Sequence, residues 1–133
     1  MTQVPAYLIQ GFYFQDKYYL GVQAVPIDGN VAVMKRGIFH DMFAGLIWQE
    51  NSSSWIGLMN DSEGQSRLEE VHLTPTELDF CKQYDGRQDS ILYQFRLEGT
   101  LWVGSYTGTK VGQGDANCVL TPAPNQMLDS IQG

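Results

Sequence analysis

The sequence predicts an all-β protein: an antiparallel meander of about ten strands that closes into a barrel, with at most a short helical turn near its C-terminal end. Three observations carry this reading. Runs rich in β-branched and aromatic residues recur roughly every eight to twelve residues, separated by glycine, asparagine and aspartate. Helix signals are nearly absent. Almost every run holds an interior glycine, at Gly11, Gly21, Gly37, Gly45, Gly57 and Gly104. Glycine weakens a flat strand, so its repeated use points to sharply coiled strands or to a ring lying over bare backbone, and strongly coiled sheets tend to close. Closure also removes edges that would otherwise need protection. An ordinary sandwich, in which some of these glycines mark β-bulges, is the alternative.

The elements follow in order. Tyr7 to Phe14 and Tyr18 to Val25 read as two strands joined at Gln15-Asp16-Lys17, and Asp28-Gly29-Asn30 supplies positive-φ residues for the next hairpin. "NVAVMKRGIF" runs to Phe39, and "MFAGLIWQE" and "WIGLMN" flank a polar loop at Asn51 to Ser54. "DSEGQ" turns into "SRLEEVHLT", where Leu68, Glu70 and His72 alternate on one face. In "LTPTEL", Thr74, Pro75 and Glu77 could open a helix. The alternation that follows favours a turn and then a strand, with Leu78, Phe80 and Tyr84 on one side and Asp79, Cys81 and Gln83 on the other. "DGRQD" joins that strand to "SILYQFRLE", and "TKVGQG" joins "TLWVGSYTG" to "DANCVLT". In "GTLWVGSYTG", Trp102, Gly104 and Tyr106 share a face. Residues 1–133 form a single barrel domain, with 122–133 as a tail in which Asn125 could cap one helical turn. No period of about 20–50 residues repeats, which excludes solenoids and propellers.

At 133 residues and 43% hydrophobic content the chain can build a core without disulfide or metal staples. Eight basic residues against fifteen acidic give a net charge of −7. The bases are scattered, so no phosphate-neutralising face forms and nucleic acid is not an expected partner. The same field opposes an anionic membrane surface, no apolar run is long enough for a transmembrane helix, and "MTQVPAYLIQGF" lacks the basic start and apolar stretch of a secretory signal. These features predict a soluble, cytoplasmic protein without a membrane partner. Cys81 and Cys118 fit that setting: their strand faces point apart, which predicts reduced thiols.

Catalytic and cofactor patterns are thin. His40 and His72 are the only imidazoles, and no spacing gathers the three or four ligands of a zinc site. "GQGDAN" lacks the third glycine of a dinucleotide loop and reads as a hairpin turn. No cofactor and no catalytic residue are expected. Eight acids between Asp61 and Asp89 could pair as catalytic carboxylates or bind calcium, but they alternate with core positions or sit in turns, the pattern of a solvated face. Arg36 shares a face with Ala32, Met34 and Ile38. If that face is interior, its guanidinium needs a carboxylate or an anionic ligand; a bulge near Gly37 would return it to solvent.

"LWVGSYTGTKVGQGDANCVLT" resembles a hairpin of the avidin and streptavidin family, in which an aromatic-x-Gly-x-Tyr-like strand, a glycine turn and a strand ending in Leu-Thr run in sequence. "GFYF" is similar to the Gly-x-Trp first strand of the calycins, with Tyr13 at the tryptophan position. The likeness covers roughly 30 of the 133 residues and implies a calycin-like barrel. The Asn/Ser/Tyr set that binds biotin has no residue-by-residue match, so biotin is not implied.

These readings converge on a non-enzymatic barrel that holds a small, mainly apolar or weakly acidic molecule. Trp102 and Tyr106 would form one wall, Trp48, Tyr13 and Tyr93 the other, and Arg36 would be the charged partner. An interaction or scaffold module with a filled core predicts the same residues, and a small isomerase- or cyclase-type barrel enzyme is a third reading. Apolar outer faces such as "WIGLMN" predict a homo-oligomer.

Overall fold

A computed structural model describes residues 5–25 and 29–124, with the backbone alone for 16–25, 29–33, 35 and 36. Eight strands are present among the described residues: β1 (Ala6–Val25), β2 (Gly29–Asn51), β3 (Ser54–Asp61), β4 (Gly64–Leu73), β5 (Glu77–Tyr84), β6 (Ser90–Glu98), β7 (Leu101–Gly108) and β8 (Gly112–Pro122). Each pairs antiparallel with its chain neighbours, and β8 returns to β1, so the meander closes into a barrel. The fold class is the expected one.

The count is eight rather than about ten because two expected breaks are absent. Gln15-Asp16-Lys17 lies inside β1, straight across from Phe39, Ile38 and Gly37, and β2 runs unbroken through His40 and Asp41. Neither Gln15-Asp16-Lys17 nor His40-Asp41 contains a glycine, asparagine or proline, so nothing there compels the backbone to turn. Pro26 to Asp28, which include the start of the expected Asp28-Gly29-Asn30 hairpin, and the expected helical turn after Asn125 lie outside the described residues.

Closure involves only part of the first hairpin. β1 pairs with β8 from Tyr7 to Tyr13, and β2 pairs with β3 from Phe43 onward. Residues 14–25 and 29–42 therefore continue past the barrel as a two-stranded ribbon, here called the arm.

Inside the barrel, inward positions of all eight strands pack into one core that includes Ile9, Phe43, Ile47, Met59, Leu68, Phe80, Phe95, Trp102 and Cys118. Tyr93 is its hub, stacked on Phe80 (centroids 5.1 Å apart) and Phe95 (6.0 Å) and meeting Phe43 edge-on at 5.9 Å. The opposite parity of β2 carries Leu46 and Trp48 into a smaller cluster with Ala6, Leu8, Ile56 and Leu58 on the barrel's outer side.

The interior glycines answer to backbone. A Cβ added at Gly11, Gly45 or Gly104 would fall on the carbonyl oxygen of Asn117, Leu58 or Gln94 across the ladder. Coiling brings each strand too close to its neighbour for a side chain. Bulges occur as well, where the β2–β3, β3–β4 and β4–β5 registers shift. One lies at Glu69 to His72, where Glu70 takes a left-handed φ of 52°. It breaks the expected alternation of Leu68, Glu70 and His72: Leu68 is buried, the next two residues are exposed, and His72 faces solvent.

Candidate functional site

The mouth at the root of the arm is the candidate site. Inward residues of β1, β5, β6 and β7 meet there with the base of the arm and the β3–β4, β5–β6 and β7–β8 turns. Together they enclose a cavity of about 370 Å³. Tyr13, Tyr84, Tyr93 and Tyr106 line its inner part; Asp41, Ser62, Glu63, Arg87 and Asp89 line its rim, with Phe39 and His40 on the arm side.

Sequence order explains the placement. In β5, period two carries Leu78, Phe80, Lys82 and Tyr84 inward. In β3, the same parity takes Gly57, Met59 and Asp61 inward, so the last residue of that strand delivers a carboxylate beside the ammonium of Lys82. Both side chains are 0% exposed and form an ion pair. The Tyr84 hydroxyl donates to the same Asp61 Oδ2 at 2.7 Å. Around Lys82 Nζ stand the rings of Tyr84, Tyr13, Tyr93 and Phe43, with centroids 4.8, 5.4, 5.5 and 5.9 Å away. A buried ammonium needs a counter-charge and polarisable neighbours, and this one has both. Three of the four rings also line the cavity, so the tyrosines form a partition between the ion pair and the open mouth.

The partition is fixed from both sides. Tyr13 donates to Asp41 Oδ2 at 2.9 Å, and Ser62 donates to the same oxygen. Tyr106 donates to the Phe14 carbonyl at 2.5 Å across the space that Gly114 leaves open, and its ring meets Tyr13 edge-on at 5.8 Å. At the rim, the Arg87 guanidinium lies 4.8 Å from the Tyr84 ring centroid and 3.5 Å from the Glu63 carboxylate.

Burial sets the protonation states. It lowers the Lys82 amine below its usual value, with Asp61 opposing the shift. Burial and the carboxylate neighbours raise the Tyr13 and Tyr84 hydroxyls far above theirs, and burial does the same to Tyr93. For Asp41, desolvation pushes upward, but hydrogen bonds from Ser62 and Tyr13 outweigh it and hold the carboxyl below its ordinary value. Near neutral pH the mouth thus presents neutral phenols and an ionised Asp41 carboxylate. Among the described residues, no group of three or more His, Cys, Asp or Glu is placed to hold a metal ion.

Of the residues singled out from the sequence, Tyr13, Tyr93 and Tyr106 meet at this mouth. Trp102 is buried in the barrel core four positions before Tyr106 on β7, in the filled half. Trp48 belongs to the outer cluster and does not face the others; its indole Nε1 is buried without a hydrogen-bond partner among the described residues. Arg36 lies on the arm opposite Tyr18, beyond the closed barrel wall, and its side chain is outside the described ones. Cys118 is buried in the core and Cys81 is on the outside with its Sγ 3.5 Å from a Glu70 oxygen; both are free thiols.

Sequence reasoning missed Lys82 and Asp61. The signal was present: the alternation that turned Leu78, Phe80 and Tyr84 inward also turns Lys82 inward, and Asp61 follows Gly57 and Met59. A charge in a mostly apolar row was the clue.

The fold and mouth define an eight-stranded, antiparallel closed barrel with a tyrosine-floored opening. No protein-family model, curated protein or solved structure matches the chain.

Proposed function

We propose that the chain is a non-enzymatic, calycin-like barrel that binds one small molecule at the arm-side mouth. The ligand has a mainly apolar or aromatic body that rests on Tyr13, Tyr84, Tyr93 and Tyr106, and a basic head group directed at Asp41. The observation that carries this reading is the cavity of about 370 Å³ with a tyrosine floor and a carboxylate rim, a volume in the range of small-ligand sites. An eight-stranded barrel is just wide enough to be filled or to hold one small ligand; here the core fills one part and the mouth stays open. A weakly acidic ligand draws its support from Arg36, which lies on the arm opposite Tyr18 with its side chain outside the described ones. The described cation at the rim, Arg87, is already paired with Glu63. Carboxylates beside aromatic faces suit an amine instead. The two free thiols support a reduced, cytoplasmic setting.

Calorimetric titration with matched aromatic amines, aromatic acids and neutral analogues tests the proposal. At least one amine is expected to bind saturably with micromolar affinity, on the order of −8 kcal/mol. Asp41→Asn is expected to weaken the amine about tenfold and leave the neutral analogue unchanged. Acids that bind better than amines, or no saturable binding by any compound, would overturn it. None of the three tryptophans lines the cavity, so indole emission is a poor reporter here.

The filled core around Trp102, Phe95 and Phe80 favours a second reading, an interaction module. That reading makes the arm the working surface.

A further inference from the structure

The arm is a two-stranded ribbon, and a ribbon of this kind is marginal in water unless a third layer or strand covers it. It spans about twelve residues per strand, roughly 40 Å. Among the described residues, no strand pairs with β1 beyond Tyr13 except β2, and none pairs with β2 before Phe43 except β1. The β1–β2 ladder also runs from Ala6 to Trp48 without a register shift, whereas the next three ladders each contain one. Bulges are a usual means of protecting an edge, and the longest edge in the molecule lacks them.

One face of the arm carries exposed apolar side chains. Met34, Ile38 and Met42 are spaced by four along β2, so they point the same way, alternating with Arg36 and His40, and they are 67%, 74% and 63% exposed. The row ends at an apolar groove on the barrel's outer surface, lined by Phe12, Met42, Leu101 and Val119. We infer that the arm and this groove together form a two-fold interface with a second copy of the same chain.

Three arguments select a second copy. The chain carries both halves of the contact. In an antiparallel two-fold arrangement Ile38 lies near the axis, Met34 of one copy reaches the Met42 groove of the other, and the relation is reciprocal. The charge agrees: residues 14–42 hold three acids (Asp16, Asp28, Asp41) and three bases (Lys17, Lys35, Arg36), so the whole net charge of −7 resides elsewhere and two copies can meet here with least repulsion. The area suffices: two arm faces of about 40 Å by 10 Å, together with two grooves, reach the roughly 1,200 Å² at which specific interfaces begin.

Sedimentation of the full chain at micromolar concentration is expected to show a species of twice the 15.0 kDa chain mass. Ile38→Lys and, separately, Leu101→Lys are each expected to weaken association at least tenfold, with near-ultraviolet circular dichroism unchanged. Leu101 sits at the start of β7 on the barrel surface, so its substitution tests the groove without altering the arm. Leu92→Lys, an exposed apolar position on β6 away from both surfaces, is expected to leave association as it was. A wild-type chain that stays at 15.0 kDa throughout, or equal weakening by Leu92→Lys, would overturn the inference. So would a monomer that floats with phosphatidylcholine vesicles, which would assign the apolar row to lipid.

Discussion

Lys82 is where the molecule departs furthest from what composition alone suggests. Removing an ammonium and a carboxylate from water costs several kcal/mol for each ion, and the Lys82–Asp61 attraction returns most of that only while both partners remain. Tyr84 and the surrounding rings supply the rest of the solvation that water no longer provides. Removing one partner is therefore worse than removing both. Lys82→Met is expected to cost about 3–5 kcal/mol, because it leaves the Asp61 carboxylate buried and unpaired. Asp61→Asn is expected to cost a similar amount for the converse reason. The double variant is expected to cost at least about 1 kcal/mol less than the sum of the two. Urea unfolding of the four proteins measures the difference, and simple additivity would show that the pair is not coupled. Lys82 was legible in principle, since the β5 alternation includes it. Lysine is so rarely fully buried that its place in the row does not by itself mark an interior ammonium.

Among the elements, the glycine-bearing strands were read correctly in kind and incompletely in cause. Interior glycine indicated coiling and closure, and the barrel closes. What the residues did not disclose is the neighbour at each glycine, because close approach depends on the register of another strand. At Gly104 that neighbour is the Gln94 carbonyl oxygen. In an ordinary strand Gly→Ala gains about 0.5–1 kcal/mol by restricting the unfolded chain. Gly104→Ala is expected to have the opposite sign and cost about 1–3 kcal/mol, since the added methyl forces β6 and β7 apart. A chemical denaturation midpoint that rises in the variant would refute the close approach. The arm was misread for a related reason. Gln15-Asp16-Lys17 reads as a turn because polar residues commonly interrupt a half-buried strand. A ribbon that has left the barrel has no closed core to impose alternation, so polar residues there need not mark a bend.

For the molecule as a whole, the barrel holds several acids in their neutral form, and its stability depends on pH accordingly. Burial pushes the Cys118 thiol from 9.0 up to about 12, and it raises Tyr13, Tyr84 and Tyr93 well above their usual 10.0. These groups are neutral when protonated. Above pH 9 the unfolded chain begins to release protons that the folded barrel retains, so the unfolded state binds fewer protons and stability falls as pH rises. The fall begins with Cys118 and steepens above pH 10 with the tyrosines. Lys82 acts in the other direction: its amine is depressed in the fold, so the unfolded chain binds the extra proton and stability rises with pH up to its usual 10.5. It offsets part of the loss below that point and none above it. Asp41, held below its usual 3.8 by Ser62 and Tyr13, adds stability that is lost only in acid as pH falls through its folded value. Thermal unfolding is therefore expected to show a plateau near neutral pH and a steep decline above pH 9, with the onset moved toward pH 10 in Cys118→Ala. Tyrosinate absorbance followed on the same samples is expected to show Tyr13, Tyr84 and Tyr93 ionising only as circular dichroism reports loss of the barrel. Ionisation of all seven tyrosines near pH 10 with the dichroism intact would mean that water and hydroxide reach the mouth freely and that the tyrosine floor is not closed.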